Sequence, residues 1–237
     1  MIYRKEFFDL QWRFAAHAAA LAEIQLAEAL FEYTNFYARF GLGRDFDAAN
    51  PTWRQYVEGL QRSATPRDWT YDFYRSRLPD TGAPGVVASF GCFCYARHTK
   101  GRIRLHFQNA DGAGASPLAA HRQEQRHVEL AELFEHVRRH EAATVKVTGA
   151  SWLYNIEAYR RLFPREYLAS AVPSPPRFRG MPLWGQFLDR QGAIRQEAAD
   201  SFMRQVSAQE DVLALGACFP YQVLALEAAA SAFACPT

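Results

Sequence analysis

Two closely spaced glycines precede a predicted helix near the middle of the chain. Gly112 and Gly114 flank Ala113, and Ser116-Pro117 then supplies an N-cap and a first helical residue. Glycine lets a backbone approach a phosphate closely, and the free N–H groups at a helix start favour anions. The pattern predicts a phosphate-binding loop, with a plain surface turn as the open alternative.

A histidine lies just before this loop, on the polar side of a predicted strand over residues 102–108. The side chains alternate, and the polar ones are Arg102, Arg104, His106 and Gln108. Because histidine titrates near neutral pH, His106 is a candidate general base for an attacking amine. A solvated strand face is the structural alternative, and the neighbouring arginines could instead bind an acidic substrate.

Cysteines and histidines also suggest a metal site. Cys92, Cys94, His98 and His106 form the pattern Cys-x-Cys-x3-His-x7-His, which is not a familiar zinc spacing. Without a CxxC motif, and in a reducing compartment, buried free thiols are the default. We therefore expect no bound metal, and a metal-dependent hydrolase is the third function considered.

The predicted secondary structure changes from helical to mixed helix and strand near residue 84. Residues 6–40 lack Gly and Pro and predict one long helix, or two helices broken near Ala20. Asn50-Pro51 and Thr65-Pro66 each begin a further helix. The sequence therefore predicts a helical N-terminal region over 1–84 and an α/β domain over 85–237.

The α/β domain is predicted from alternating patterns and breaker residues. A strand over Val86–Ala96 is apolar on both faces, and a turn at 98–101 leads into the strand 102–108. The helix after Ser116 buries a stripe of Leu130, Leu133, Phe134 and Val137, whereas 121–126 is predicted to face solvent. Further strands are predicted at 144–148, 167–172 and 184–188, a helix is predicted to end at Phe163-Pro164, and another spans 195–206.

Composition excludes several classes of protein. Apolar residues make up 49% and charged residues 22% of 237, which is typical of globular chains rather than disordered ones. The net charge of +2 is too balanced to predict nucleic-acid binding. No segment approaches the ~20 uninterrupted apolar residues of a membrane span, and the N-terminus lacks a signal core. A cytoplasmic protein is expected.

The loop resembles a family motif. Gln108-Asn109-Ala110-Asp111-Gly112-Ala113-Gly114 is similar to the Q/R-x-x-G-x-G/A loop of the GNAT (N-acetyltransferase-like) fold, with one extra residue before the first glycine. Asp111 departs from it, since a carboxylate would repel pyrophosphate. The resemblance implies an α+β fold, a mixed sheet flanked by helices in which one strand splays from its neighbour. It also implies an acetyl-CoA or longer acyl-CoA cosubstrate, bound by Gln108, Asn109, Gly112, Ala113, Gly114, Ser116 and Asn155.

Two other segments share this resemblance. The run from Asn155 to Phe163 resembles the family's N-x-x-A-x-x-x-Y helix, whose tyrosine protonates the departing CoA thiolate. Here the tyrosine is displaced, so Tyr154 and Tyr159 are both candidates for that role. Leu105-His106-Phe107 and Ser151-Trp152-Leu153 are similar to an LHI…SWL pattern in bacterial acyltransferase-like proteins with a helical N-terminal region.

The leading hypothesis is therefore an acyl-CoA-dependent N-acyltransferase that acts by direct transfer. Its acceptor would be a small-molecule amine or a peptide, and neither nucleic acid nor membrane is an expected partner. A homodimer stays open. The main alternative is a non-catalytic binding or assembly protein on a degenerate GNAT-like scaffold.

Overall fold

The computed structural model describes residues 2–77, 85–99, 101–111, 116–142 and 145–233. Contacts divide the chain into two units, residues 1–80 with 176–220 and residues 81–175 with 221–237. The N-terminal helices and the sheet belong to different units. Segment 176–220, however, groups with the N-terminal helices instead of the sheet.

The first unit is helical. Its helices are α1 (Lys5–Ala22), α2 (Leu26–Tyr33), α3 (Phe36–Arg39), α4 (Pro51–Arg62), α5 (Pro66–Arg75), α9 (Met181–Trp184) and α10 (Gln196–Ser207). The predicted 6–40 helix breaks at Glu23, whose φ of 54° is left-handed. The predicted N-cap at Asn50 is confirmed, because its Oδ1 accepts from the Thr52 N–H at 2.9 Å. The strand predicted at 184–188 is wrong, since α9 and a 3-10 turn (Gly185–Phe187) lie there.

Aromatic packing explains why segment 176–220 joins this unit. The Phe14 ring on α1 lies 5.3–5.7 Å from the rings of Phe178, Trp184, Phe202 and Phe219. Such ring pairs stabilise beyond the area that they bury. Trp184 and Phe187 are buried on all sides. The segment around them therefore lacks the alternation of apolar and polar residues from which a helix could have been predicted.

The second unit contains a mixed six-stranded sheet and helices, so the predicted α+β class is confirmed. The strands are β1 (Val86–Phe90), β2 (Phe93–Arg97), β3 (Arg102–Phe107), β4 (Lys146–Ser151), β5 (Val172–Pro173) and β6 (Leu224–Ala229). Their order across the sheet is β1-β2-β3-β4-β6-β5. The β3–β4 pair is parallel and the others are antiparallel. The helices are α6 (Gln123–His140), α7 (Glu157–Arg160) and α8 (Arg165–Ala169).

The single strand predicted over 86–96 is wrong. The chain turns at Gly91-Cys92, so that β1 and β2 form a hairpin in which Phe90 pairs with Phe93. Gly91 has a φ of +52°, which glycine adopts without the steric cost that a Cβ brings. The apolar pattern on both faces concealed this turn, because both hairpin strands are apolar.

The α6 helix carries the predicted buried stripe of Leu130, Leu133, Phe134 and Val137, which is confirmed. Its start is not at Ser116-Pro117. Residues 116–119 form a turn, a 3-10 turn follows at Ala120–Arg122, and α6 begins at Gln123. The strand predicted at 167–172 is mostly α8, with only Val172–Pro173 paired in the sheet.

Strands β3 and β4 pair only over their first halves. The ladder joins Arg102 to Lys146, Ile103 to Val147 and Arg104 to Thr148. Both strands continue in the same direction, β3 to Phe107 alongside β2 and β4 to Ser151 alongside β6. Within these described residues, therefore, 105–107 and 149–151 face each other without ladder pairing. We call this opening the strand gap.

In the part of the chain that the structure describes, no single helix is long and apolar enough to cross a membrane. Only α1 and α2 taken together reach that length and composition, and a bend of 117° separates them.

The hairpin turn provides a stability test with a matched control. Gly91→Ala introduces a Cβ at a positive φ, where it would also collide with the Glu129 carboxylate. Gly101→Ala has a similar φ of +73° but meets nothing within 4 Å. We expect Gly101→Ala to cost about 1–2 kcal/mol of unfolding free energy and Gly91→Ala about 1–3 kcal/mol more. Equal losses in urea titrations would contradict this packing.

Candidate functional site

A buried arginine lies at the start of α6, next to the predicted phosphate loop. The Arg126 side chain is 0% exposed, so the prediction that 121–126 faces solvent is wrong at this position. Its Nη2 lies 3.1 Å from Asp111 Oδ1 and 3.0 Å from Glu129 Oε1. A buried charge is tolerated only when paired, and two carboxylates provide that pairing here.

Glu129 joins α6 to the hairpin turn. Its Oε2 accepts the Cys92 N–H at 2.9 Å, and its Oε1 accepts from Gln125 Nε2 at 3.2 Å. The carboxylate also occupies the space that a Cβ on Gly91 would need. One carboxylate thus holds both Arg126 and the turn that connects β1 to β2.

Asp111 joins α6 to the loop. Its Oδ2 lies 3.2 Å from Arg122 Nη1, an ion-pair contact without hydrogen-bond geometry. Arg122 is 29% exposed, whereas Asp111 is 11% exposed. The Nε of Arg126 is buried and has no hydrogen-bond partner among the described residues. Two guanidinium groups therefore converge on a single carboxylate that stands directly before residues 112–115.

The Cys92 thiol contacts this cluster through Arg126 Nη1. Burial raises the pKa of the Cys92 thiol, although a hydrogen bond with the Ala110 backbone and the charge of Arg126 partly oppose the increase. Cys94 and Cys218 are also free and buried, as predicted, and burial raises the pKa of each. Raised pKa values keep these thiols protonated and unreactive.

The strand gap lies beside this cluster, and the candidate base borders it. His106 is half-buried in β3 and is the cross-strand partner of Cys94. Its neighbour Phe107 points to the opposite face, where its ring lies 5.2 Å from the Tyr159 ring. His106 and the candidate acids are thus on different faces of the sheet, with the strand gap between β3 and β4 beside both.

Both candidate acids are buried on the α6 side of the sheet. Tyr154 and Tyr159 are 3% and 2% exposed, and burial raises the pKa of each. The Tyr154 hydroxyl lies 2.8 Å from the Tyr167 hydroxyl. A Cβ on Gly149 would collide with both hydroxyl oxygens, so the pair packs directly against β4 at the gap.

Most of the predicted cofactor-binding residues belong to the segment 108–116, which follows β3. Gly112, Ala113 and Gly114 lie outside the described residues. Gln108 leads out of β3, with its N–H donated to the Cys92 carbonyl, and the half-buried Asn109 follows. The exposed Ser116 accepts the Leu118 N–H at 3.3 Å.

Asn155 is exposed, but its side-chain amide is already hydrogen-bonded within the protein. Its Nδ2 donates to the carbonyls of Trp152 and Gln222, each at 2.8 Å. These bonds connect the 3-10 turn Trp152–Asn155 to the segment before β6. An acyl-CoA that used this amide would have to compete with both carbonyls.

Sequence reasoning missed Arg126, Glu129 and Tyr167. A signal for Arg126 was present, because positions 126, 130, 133, 134 and 137 continue one helical stripe. A charge in register with a buried stripe predicts a buried ion pair. Nothing local marks Tyr167, whose contact with Tyr154 depends on how α8 packs.

Metal binding has no support in the described part of the chain. Among those residues no group of three or more His, Cys, Asp and Glu side chains could hold a metal ion. Cys92 lies in the hairpin turn and not on a strand with Cys94.

Comparison of the chain with protein-family models, with curated proteins and with solved structures found no match.

The buried ion network predicts that two arginines of α6 contribute very differently to the stability of the protein. Arg126→Met leaves Asp111 and Glu129 without their shared cation, so we expect a loss of about 3–5 kcal/mol of unfolding free energy. Arg139→Met removes an exposed partner of Glu135 near the other end of α6 and should change stability little. Urea unfolding of both variants checks this. Comparable stability of the two would contradict the network.

Proposed function

We propose that the second unit binds an acyl-CoA in the strand gap and transfers its acyl group to an amine. One observation carries the proposal, namely that β3 and β4 separate after Arg104 and Thr148 while each stays paired on its outer side. The GNAT resemblance implies a strand that splays from its neighbour after the loop and helix. The separation of β4 from β3 supports that expectation.

The main chain along the gap offers the polar groups that such a ligand needs. The β3–β4 ladder ends before residues 105–107 of β3 and 149–151 of β4. The N–H and C=O groups on the strand edges that face each other there are therefore not used by this ladder. An extended pantetheine arm has amides that such edges can bind. N–H groups at the same edges could also stabilise the oxyanion of a tetrahedral intermediate.

Arg122 and Arg126 provide positive charge where the pyrophosphate is expected. They lie one helical turn apart and both face Asp111, which ends the described part of the loop. Arginine binds phosphate and carboxylate through the same fork geometry. Asp111 thus holds a position that a phosphate group would take, and acyl-CoA binding would displace its carboxylate.

The chemistry follows from the groups that border the gap. His106 takes a proton from the acceptor amine, and the amine nitrogen attacks the thioester carbonyl. The tetrahedral intermediate collapses with cleavage of the C–S bond. The thiolate then takes a proton from Tyr154, which we favour over Tyr159 because its hydroxyl packs against Gly149 on the gap-lining part of β4. The proton lost by the amine restores Tyr154 through solvent, so protons balance.

Binding of acetyl-CoA tests this proposal most simply. Isothermal calorimetry should show one site per chain, and Arg122→Gln should weaken it about tenfold because a phosphate contact is lost. Asp111→Asn should tighten binding about fivefold, since the competing charge is removed. Arg139→Gln, at the far end of α6, should leave the affinity unchanged. No heat from any CoA thioester, or weaker binding by Asp111→Asn, would contradict the proposal.

The second candidate is a non-catalytic binding or assembly protein on the same scaffold. What favours it is that Asp111 neutralises both arginines and that Asn155 is bonded to two carbonyls. Release of free thiol from acetyl-CoA in the presence of pooled primary amines distinguishes the two functions. We expect release above the rate without protein, whereas binding without release would identify the non-catalytic function.

A further inference from the structure

Two buried phenol groups meet beside the strand gap. Tyr154 lies in the 3-10 turn that follows β4, and Tyr167 lies in α8. Their hydroxyl oxygens are 2.8 Å apart, and the side chains are 3% and 0% exposed. Either hydroxyl can donate, so the pair holds two protons of which one lies between the two oxygens.

The backbone of β4 fixes where this pair lies. Position 149 is the first β4 residue beyond the ladder with β3, and a Cβ there would collide with both hydroxyl oxygens. Glycine at this position is what allows the two phenols to approach the strand. The hydroxyl pair therefore borders the part of β4 that lines the gap.

We propose that Tyr167 is a positioning residue that donates its O–H to Tyr154 and thereby directs the Tyr154 proton into the strand gap. This inference rests on the proposed acyl transfer. With Tyr167 as the donor, the Tyr154 oxygen has its own proton left over. That proton can then be given to a group that arrives in the gap.

The step is a single proton transfer. When the C–S bond of the tetrahedral intermediate breaks, the CoA sulfur leaves with the bonding electron pair and takes the proton from Tyr154. The resulting phenolate keeps the hydrogen bond from Tyr167, whose own proton stays in place. Tyr154 regains a proton by way of solvent from the amine that was acylated, so no other reactant is needed.

The electrostatic surroundings keep both phenols of the pair protonated. Burial raises the pKa of Tyr154 well above its ordinary value and the interaction with Tyr159 raises it further, whereas the hydrogen bond with Tyr167 and the charge of Arg104 oppose the increase. Burial raises the pKa of Tyr167 as well, and its interaction with Tyr154 raises that pKa further. Both phenols therefore carry a proton near neutral pH, which the proposed donation by Tyr167 and the proton transfer from Tyr154 both require.

A double-mutant cycle tests the proposal with acetyl-CoA and the primary amine that gives the fastest thiol release. We expect Tyr154→Phe to lower kcat about a hundredfold and Tyr167→Phe about tenfold, with KM for acetyl-CoA unchanged. Because Tyr167 acts only through Tyr154, the double variant should be no slower than Tyr154→Phe alone. A purely structural hydroxyl would not produce this non-additivity.

Tyr56→Phe is the matched control. Tyr56 is 0% exposed, and its hydroxyl lies 3.0 Å from Thr70 Oγ1 in the helical unit. It should lower the melting temperature as Tyr167→Phe does, yet leave kcat at the wild-type value. If Tyr167→Phe also keeps wild-type kcat, or if its effect adds fully to that of Tyr154→Phe, the positioning role is overturned while acyl transfer stands. Absence of thiol release by the wild type would overturn both.

Discussion

The buried charge of Arg126 is the constraint around which the sheet unit is arranged. A guanidinium group with no exposed surface must be balanced, and the two carboxylates that balance it come from different segments, Asp111 from the loop and Glu129 from α6 itself. Glu129 in turn accepts the Cys92 N–H and fills the space beside Gly91. The hairpin turn, the loop and the first turns of α6 are therefore held by one set of charges.

The ion pairs around Arg126 bear on the proposed phosphate binding. The charges that stabilise the junction are also those that a phosphate would need, because Arg122 and Arg126 already converge on one anionic group. An incoming pyrophosphate would exchange one anion for another and leave the buried cation balanced. Stability and ligand binding would then depend on the same two side chains, with Asp111 as the group that is exchanged.

The proposed chemistry in the strand gap depends on a different constraint. Parallel pairing of β3 and β4 stops where Gly149 begins, and the absence of a side chain there lets two phenols approach the strand. His106 borders the same opening from the other face of the sheet. A ligand within the gap could therefore be contacted by a base from one face and by an acid from the other.

The sequence predicted what local signals determine. Asn50-Pro51 marked a helix start, the stripe from Leu130 to Val137 marked the buried face of α6, and the alternation at 102–108 marked β3. It did not predict what distant contacts determine. The turn at Gly91 depends on Glu129, which is 38 residues away in the sequence. Residues 184–188 are buried on so many sides that their sequence shows no helical alternation of apolar and polar residues.

The same distinction applies to the candidate site. His106, Tyr154 and the segment 108–111 were identified from their residue types and a resemblance, and the structure places them around the strand gap or at its end. Arg126 as a buried cation could have been inferred from its register with the stripe. Tyr167 could not, because its hydroxyl meets Tyr154 only through the packing of α8 against β6 and the core.

A crystal structure of the protein with bound acetyl-CoA tests the central claim most directly. The account predicts that the pantetheine arm lies between residues 105–107 and 149–151. It also predicts the pyrophosphate at Arg122 and Arg126, with the Asp111 carboxylate displaced from both. Clear density for acetyl-CoA elsewhere, or an undisturbed Asp111 with an empty gap at saturating ligand, would contradict it.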